Sequence, residues 1–297
     1  MRSNNYIFYN YIEMGRKYRE GNNLLKALKF YKKAYSCPIG KKDLDLILDI
    51  ALIYDELGFK DLAIKKYEEA LKIDSEFANA YYGLGVIYDD EGEYDKALEL
   101  YKKAIELNPS YDKAYFFLAN ILDEKGCKEE AINNYKKVIE INPNDLWSYA
   151  NIGCILEELC KYNEALEYLE KALEIDCNQY KVLFNMGVVL NKLGRIEESK
   201  VYYKKSIKNN EYYPYSYLNL ALLYEEDDLE ECIKILSLGI ENNPQQAFLY
   251  YNRGCHYIKA KEYNSAVKDI RRSIELDDFF IEYSRKDKDI SEIWHEI

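Results

Sequence analysis

The chain has few of the residues that interrupt helices or carry out chemistry: its 297 residues include 5 Pro, 3 Met, 2 Trp and 2 His. Scarce proline leaves long stretches free to be helical. The two histidines, His256 and His295, lack a Cys or carboxylate at the spacing of a metal site or a catalytic triad, so no cofactor or metal is expected. Positive charge is also short. A net charge of −12 argues against a nucleic-acid partner, which must be met by an excess of Lys and Arg. It favours a neutral or basic partner and a soluble monomer or weak homo-oligomer. No apolar run approaches a membrane span, and MRSNNYIFYNYIEMG contains no apolar signal-peptide core, so a cytoplasmic protein is expected. The 7 Cys show no CxxC spacing, and an odd number suits reduced thiols. Cys232 stands at a core position, and Cys127 and Cys160 fall in turns.

What is abundant is periodic. In Ala78–Tyr111 the residues Tyr81, Leu84, Gly85 and Tyr88 form one helical stripe. Gly92 permits a turn, and Tyr94, Ala97, Leu98, Tyr101, Ala104 and Ile105 form a second stripe that Asn108-Pro109 stops. Gly85 and Ala97 are small where the two helices must approach closely. A lone hairpin of this size cannot bury both its apolar faces and needs copies on either side. Register on the small residues gives eight copies at a period of 33–36 residues: 8–43, 44–77, 78–111, 112–145, 146–179, 180–213, 214–246 and 247–280. Residues 1–7 form an N-terminal extension with little to bury, expected to be partly disordered. The tail 281–297 carries Ile290, Ile293, Trp294 and Ile297 at helical spacing and is expected to be a capping helix over the last copy.

The pattern aromatic/Leu-x-x-Leu-Gly-x-x-Tyr, then Tyr-x-x-Ala-x-x-x-Tyr-x-x-Ala, then Pro resembles the tetratricopeptide repeat. The resemblance covers residues 8–280. It implies an all-α fold, a right-handed superhelix of antiparallel helix pairs whose first helices line a concave groove, and a non-catalytic scaffold for a protein or peptide partner.

Three groups fall at groove positions of that register. Asn151, Asn185, Asn219 and Asn252 recur at spacings of 34, 34 and 33 residues. An Asn amide both donates and accepts, so a row of them suits the main chain of an extended peptide; the same row is also a frequent consensus choice in such repeats. Acidic pairs end the first helices: Asp55-Glu56, Asp89-Asp90, Asp123-Glu124, Glu157-Glu158 and Glu225-Glu226, with Asn191-Lys192 interrupting. Negative charge at a helix C-terminus costs roughly 0.3–1 kcal/mol, so the repetition reads either as a stripe for Lys/Arg-rich ligands or as a solvated edge. Aromatics at groove positions are Tyr82, Phe116, Phe117, Trp147, Phe184, Tyr215, Phe248 and Tyr251, residue types that anchor binding hot spots.

Some members of the family clamp acidic chaperone tails with Lys and Asn side chains. Here Asn120, Asn151 and Lys181 match, while Phe116 and Asn185 stand where cations are needed, so that ligand is not expected. Enzymatic chemistry has no constellation to use. Asp89-Asp90 and Glu157-Glu158 splay as sequence neighbours on a helix, and Gly83-Leu84-Gly85 belongs to repeat packing. The alternative functions are a self-associating structural protein and, less favoured, an enzyme accessory subunit.

Overall fold

The computed structural model describes residues 2–291 and 293–296. They form seventeen α-helices, with no strand among the described residues, and divide into two compact units, Met1–Pro143 and Asn144–Ile297. The first unit contains α1 (Arg2–Glu20), α2 (Leu24–Tyr35), α3 (Leu44–Glu56), α4 (Lys60–Ile73), α5 (Ala78–Asp90), α6 (Tyr94–Leu107), α7 (Asp112–Glu124) and α8 (Lys128–Ile141). The second contains α9 (Leu146–Glu158), α10 (Tyr162–Ile175), α11 (Tyr180–Lys192), α12 (Ile196–Asn209), α13 (Pro214–Leu222), α14 (Leu229–Asn242), α15 (Ala247–Lys259), α16 (Tyr263–Leu276) and α17 (Phe279–Lys286). Odd-numbered helices through α15 pair with the helix that follows, across turns short enough to make them antiparallel.

The turn chemistry is written in the sequence. Seven of the eight first helices, all but α13, are followed by a residue with positive φ that lets their last carbonyls be met. Gly92 does this at φ +76°: its N–H donates to Asp89 at 2.9 Å, and the Glu93 N–H donates to Tyr88 at 2.8 Å. In the fifth pair Cys160 adopts the same conformation without being glycine, at φ +57°. Five of the second helices end at an Asx residue whose side chain accepts a free N–H. Asp74 accepts from Glu76 at 2.9 Å, Asn108 from Ser110 at 3.1 Å, and Asn210 from Tyr212 at 3.0 Å. Asp176 and Asp277 close α10 and α16 in the same way, whereas α2 ends at Ser36 and the Asn243 side chain after α14 donates to carbonyls instead.

Packing inside a pair rests on a small residue beneath a large ring. A Cβ at Gly85 would lie 2.7 Å from the Tyr101 ring, and one at Gly187 would lie 2.6 Å from the Tyr203 ring. Tyr31, Tyr67, Tyr101, Tyr135 and Tyr203 are all fully buried in this role. The fifth pair differs: Leu169 takes the place of the ring and meets the Gly153 Cβ position at 2.7 Å.

Three features depart from the sequence expectations. Helix α1 begins at Arg2, so the N-terminal extension is helical from there, and Phe8 is deeply buried. Helix α13 spans 9 residues where α3, α5, α7, α9, α11 and α15 span 13, which leaves Glu225-Glu226 in the following turns rather than on a helix end. The tail's α-helix is α17, at Phe279–Lys286, not a helix over 290–297. Asp287 accepts the Asp289 N–H at 2.9 Å in a turn that stops it. Ile290 and Ile293 are nonetheless buried against Tyr251, Ile270 and Phe280, with Trp294 packed beside them. Ile297 lies outside the described residues.

Candidate functional site

On the first helices of Met1–Pro143 the acidic pairs divide their labour. The first member of each pair is half-buried and the second is exposed. Asp89 accepts the Tyr101 hydroxyl at 3.2 Å. Burial raises its pKa, and the neighbouring charges of Asp90 and of Glu124 on the next first helix raise it further. Asp55 is likewise raised by burial and then by Asp90, again one pair along. Like charges are therefore held within electrostatic reach of one another. Cations answer part of this charge: Arg19 reaches Glu56 at 3.1 Å, Lys60 reaches Asp90 at 3.7 Å, and Lys128 reaches Asp123 at 2.7 Å.

The asparagines do not stand as a row of equivalent amides. Asn219 donates to the Tyr215 carbonyl at 3.0 Å and Asn252 to the Phe248 carbonyl at 2.7 Å, each bonding back onto its own helix. Asn185 donates to the Cys154 sulfur at 2.9 Å, tying α11 to α9. Asn151 is half-buried.

The aromatics serve several purposes. Tyr82 packs among Tyr101, Tyr111 and Phe117, and burial pushes its hydroxyl up to about 12. Phe116 meets Phe117 and Tyr135 edge-on. Trp147 is 42% exposed on the first turn of α9. Phe184 sits against Tyr203 and Tyr213, and Tyr215 stacks on Phe248 at 5.3 Å. Tyr251 is only 6% exposed. Phe280 and Tyr283 of α17 cover its ring, and its hydroxyl donates to Asp287. The C-terminal segment thus occupies the ground on which Tyr251 stands.

In Asn144–Ile297, Gly153, Cys154, Glu157, Glu158, Leu169, Phe184, Asn185, Val188 and Val189 surround a cavity of about 250 Å³. Its apolar floor comes from Leu169 and the two valines, and its polar rim from Glu157, Glu158 and Asn185. Sequence reasoning missed Leu169 and Cys154 here. The signal was available: Leu169 interrupts a tyrosine series otherwise continuous from Tyr31 to Tyr203.

His256 is buried, with both ring nitrogens unbonded and Nδ1 4.0 Å from Glu225. Burial lowers its pKa against the pull of Glu225. Glu225 is paired to Lys259. Among the described residues no three His, Cys, Asp or Glu side chains converge on a point that could hold a metal ion. No described helix is long and apolar enough to cross a membrane.

Models of the tetratricopeptide repeat match residues 78–111, 112–145, 147–176, 180–213 and 249–279, and a further TPR repeat model matches 52–90. The chain belongs to the tetratricopeptide repeat family. Its helix pairs are tetratricopeptide hairpins stacked into an all-α solenoid, a fold that serves as a protein-interaction scaffold. Serine/threonine-protein phosphatase 5 of Homo sapiens and of Rattus norvegicus are each 40% identical over 58 residues, which span 20% of this chain and 12% of theirs. Among solved structures, Pseudomonas aeruginosa PilF is 23% identical with a TM-score of 0.60, covering 75% of this chain and 99% of that one. YrrB, described as a TPR protein with an unusual peptide-binding site, is 22% identical with a TM-score of 0.54, covering 63% and 95%. The Cut9–Hcn1 hetero-tetramer of the APC/C is 15% identical with a TM-score of 0.60, covering 92% and 52%. At these identities the likeness to solved structures is one of fold.

Proposed function

We propose that this tetratricopeptide chain is a non-catalytic scaffold whose first helices hold an extended partner segment of basic character. The observation that carries this reading is the electrostatic coupling of carboxylates on consecutive first helices, Asp55 with Asp90 and Asp89 with Glu124. Helix stability does not ask for it, because each carboxylate opposes the helix dipole and its neighbours. A Lys/Arg-rich segment relieves the repulsion on binding and gains a steered encounter. Within Asn144–Ile297, exposed Trp147 and Tyr215 offer apolar contact of the kind that binding anchors supply. Asn219 and Asn252, each bonded to its own helix through one amide N–H, have a second N–H to offer a ligand carbonyl.

An oligolysine peptide titrated into the full chain by calorimetry tests the proposal. Binding is expected to weaken as salt rises, and D55N and D89N are each expected to cost ~0.5 kcal/mol of affinity. An affinity indifferent to salt and to both substitutions rejects the basic partner. Self-association is a second reading, favoured by the stacked Phe279–Tyr283 pair, 63% and 49% exposed on α17. A light-scattering mass that stays monomeric at every concentration disposes of it.

A further inference from the structure

The last helix pair carries an ion pair where the six pairs before it carry an apolar residue. Counting back repeat by repeat, the position of Arg253 holds Leu220, Met186, Ile152, Leu118, Leu84 and Ile50, all buried. At the position of Asp269 the preceding pair holds Ile235, also buried. Asp269 itself is 4% exposed. Arg253 grips it with a fork, Nε donating to Oδ2 at 2.6 Å and Nη2 to Oδ1 at 2.8 Å. Its Nη1 donates to the Ser237 hydroxyl at 3.0 Å, which ties α15 to α14. The rings of Tyr250 and Tyr257 lie 5.9 and 5.6 Å from the guanidinium carbon. Apolar residues in place of a buried ion pair are often no less stable, so the fold does not ask for this one. What the pair achieves is a guanidinium fixed in plane and position.

Arg253 lines a hollow of about 630 Å³, together with Tyr250 and one face of α16. On that face Lys268, Arg271 and Arg272 stand at i, i+3 and i+4, a spacing at which like charges weaken a helix. The lining thus sets four cations against two carboxylates, Asp269 and Glu275, in a chain whose net charge is −12. Three of the chain's eight arginines are here, and arginine is the side chain whose planar fork suits carboxylates. Different partners hold the three guanidinium groups at separate points. Arg253 is held by Asp269, Arg271 by the main-chain carbonyl of Glu296, and Arg272 by Glu275 at 2.9 Å.

We propose that this hollow binds an acidic peptide segment, two of whose carboxylates meet the separated cations while its chain lies along α16. Cations held apart match carboxylates spaced along a chain. A compact dianion such as a phosphoryl group needs its donors to converge on one point. The site consists of other residues than Asp55, Asp89 and Glu124 and selects the opposite charge, so it stands whether or not a basic segment binds the first helices.

A blocked tetraglutamate peptide titrated into the full chain tests this, followed by the Nε–H resonances of Arg253, Arg271 and Arg272. Tetraglutamate is expected to shift these signals and to bind less well as salt rises, and a blocked tetraglutamine peptide is expected to shift none of them. R253L/D269I installs the residues of the preceding pair and leaves the charge of the hollow unchanged. It is expected to weaken tetraglutamate roughly threefold or more, read from the Arg271 and Arg272 signals. R253K, which keeps the charge and removes the fork, replaces it should that variant fold poorly by circular dichroism. K268Q/R271Q is expected to weaken binding roughly fivefold. Silence of the arginine signals toward tetraglutamate, equal shifts with tetraglutamine, or undiminished affinity in either substituted chain overturns the proposal. Inorganic phosphate that binds more tightly than tetraglutamate also overturns it, in favour of a compact anion. Oligolysine that fails to bind while tetraglutamate still does removes the basic-segment reading and leaves this site standing.

Discussion

His256 shows how one residue can be out of step with its repeat. Counting back repeat by repeat, the same helical position carries Leu223, which is half-buried, and then Val189, Ile155, Ile121, Ile87 and Ile53, all buried. Histidine there keeps two ring nitrogens out of water without a hydrogen bond, a burden of about 1–3 kcal/mol. Burial depresses its pKa below 6.5 despite the carboxylate of Glu225, which Lys259 already engages. For a base with a lowered folded pKa, the unfolded chain takes up the proton first. Stability is therefore complete above the unfolded value and declines as pH falls through it toward the folded one. H256I is expected to raise the thermal midpoint at about pH 7.5 and to flatten its decline toward about pH 5. Differential scanning calorimetry of both proteins at the two pH values checks it. A parallel loss in both would assign the acid sensitivity elsewhere.

At the scale of the element, the helix hairpin was largely legible from the chain. Gly92, Ala97 and Asn108-Pro109 each carry a backbone or packing requirement that few residues satisfy, and the positive φ at Gly92 and the Asx turn at Asn108 are those requirements met. Leu169 was not legible in the same way, because leucine and tyrosine satisfy an apolar stripe equally well. Periodicity counts hydrophobic positions and does not measure the atoms that fill them. Tyr251 shows another blind spot: its groove position follows from the repeat, but Phe280, Tyr283 and Asp287 fold back over it. The tail's helix likewise lies earlier than its Ile290–Ile293–Trp294 spacing suggests, because Asp287 provides a stop that a count of apolar residues ignores. The close approach in each hairpin makes a sharp prediction. A methyl at Gly85 meets the fully buried Tyr101 ring at 2.7 Å, so G85A is expected to cost about 1–3 kcal/mol of unfolding free energy. Urea denaturation would show it, and no measurable loss would mean that Tyr101 repacks freely.

At the scale of the whole molecule, the charge balance links stability to function. A net charge of −12 and carboxylates coupled between neighbouring helices make the folded chain repel itself, and compaction brings those charges together. Salt screens that repulsion over about 10 Å at about 0.1 M, so the folded state is expected to gain thermal stability as sodium chloride rises from about 50 to about 500 mM. Association with a basic segment should move the other way, because the same screening weakens the attraction that draws the ligand in. Neutralising Asp55, Asp89 and Glu124 together, as D55N/D89N/E124Q, should blunt both slopes: the variant starts more stable at low salt, gains less from added salt, and binds oligolysine weakly throughout. Thermal melts and peptide titrations across one salt series measure both slopes in the same protein. If salt destabilises the natural chain, or if the variant keeps both slopes, these carboxylates are a solvated edge whose repulsion is too slight to act on fold or partner.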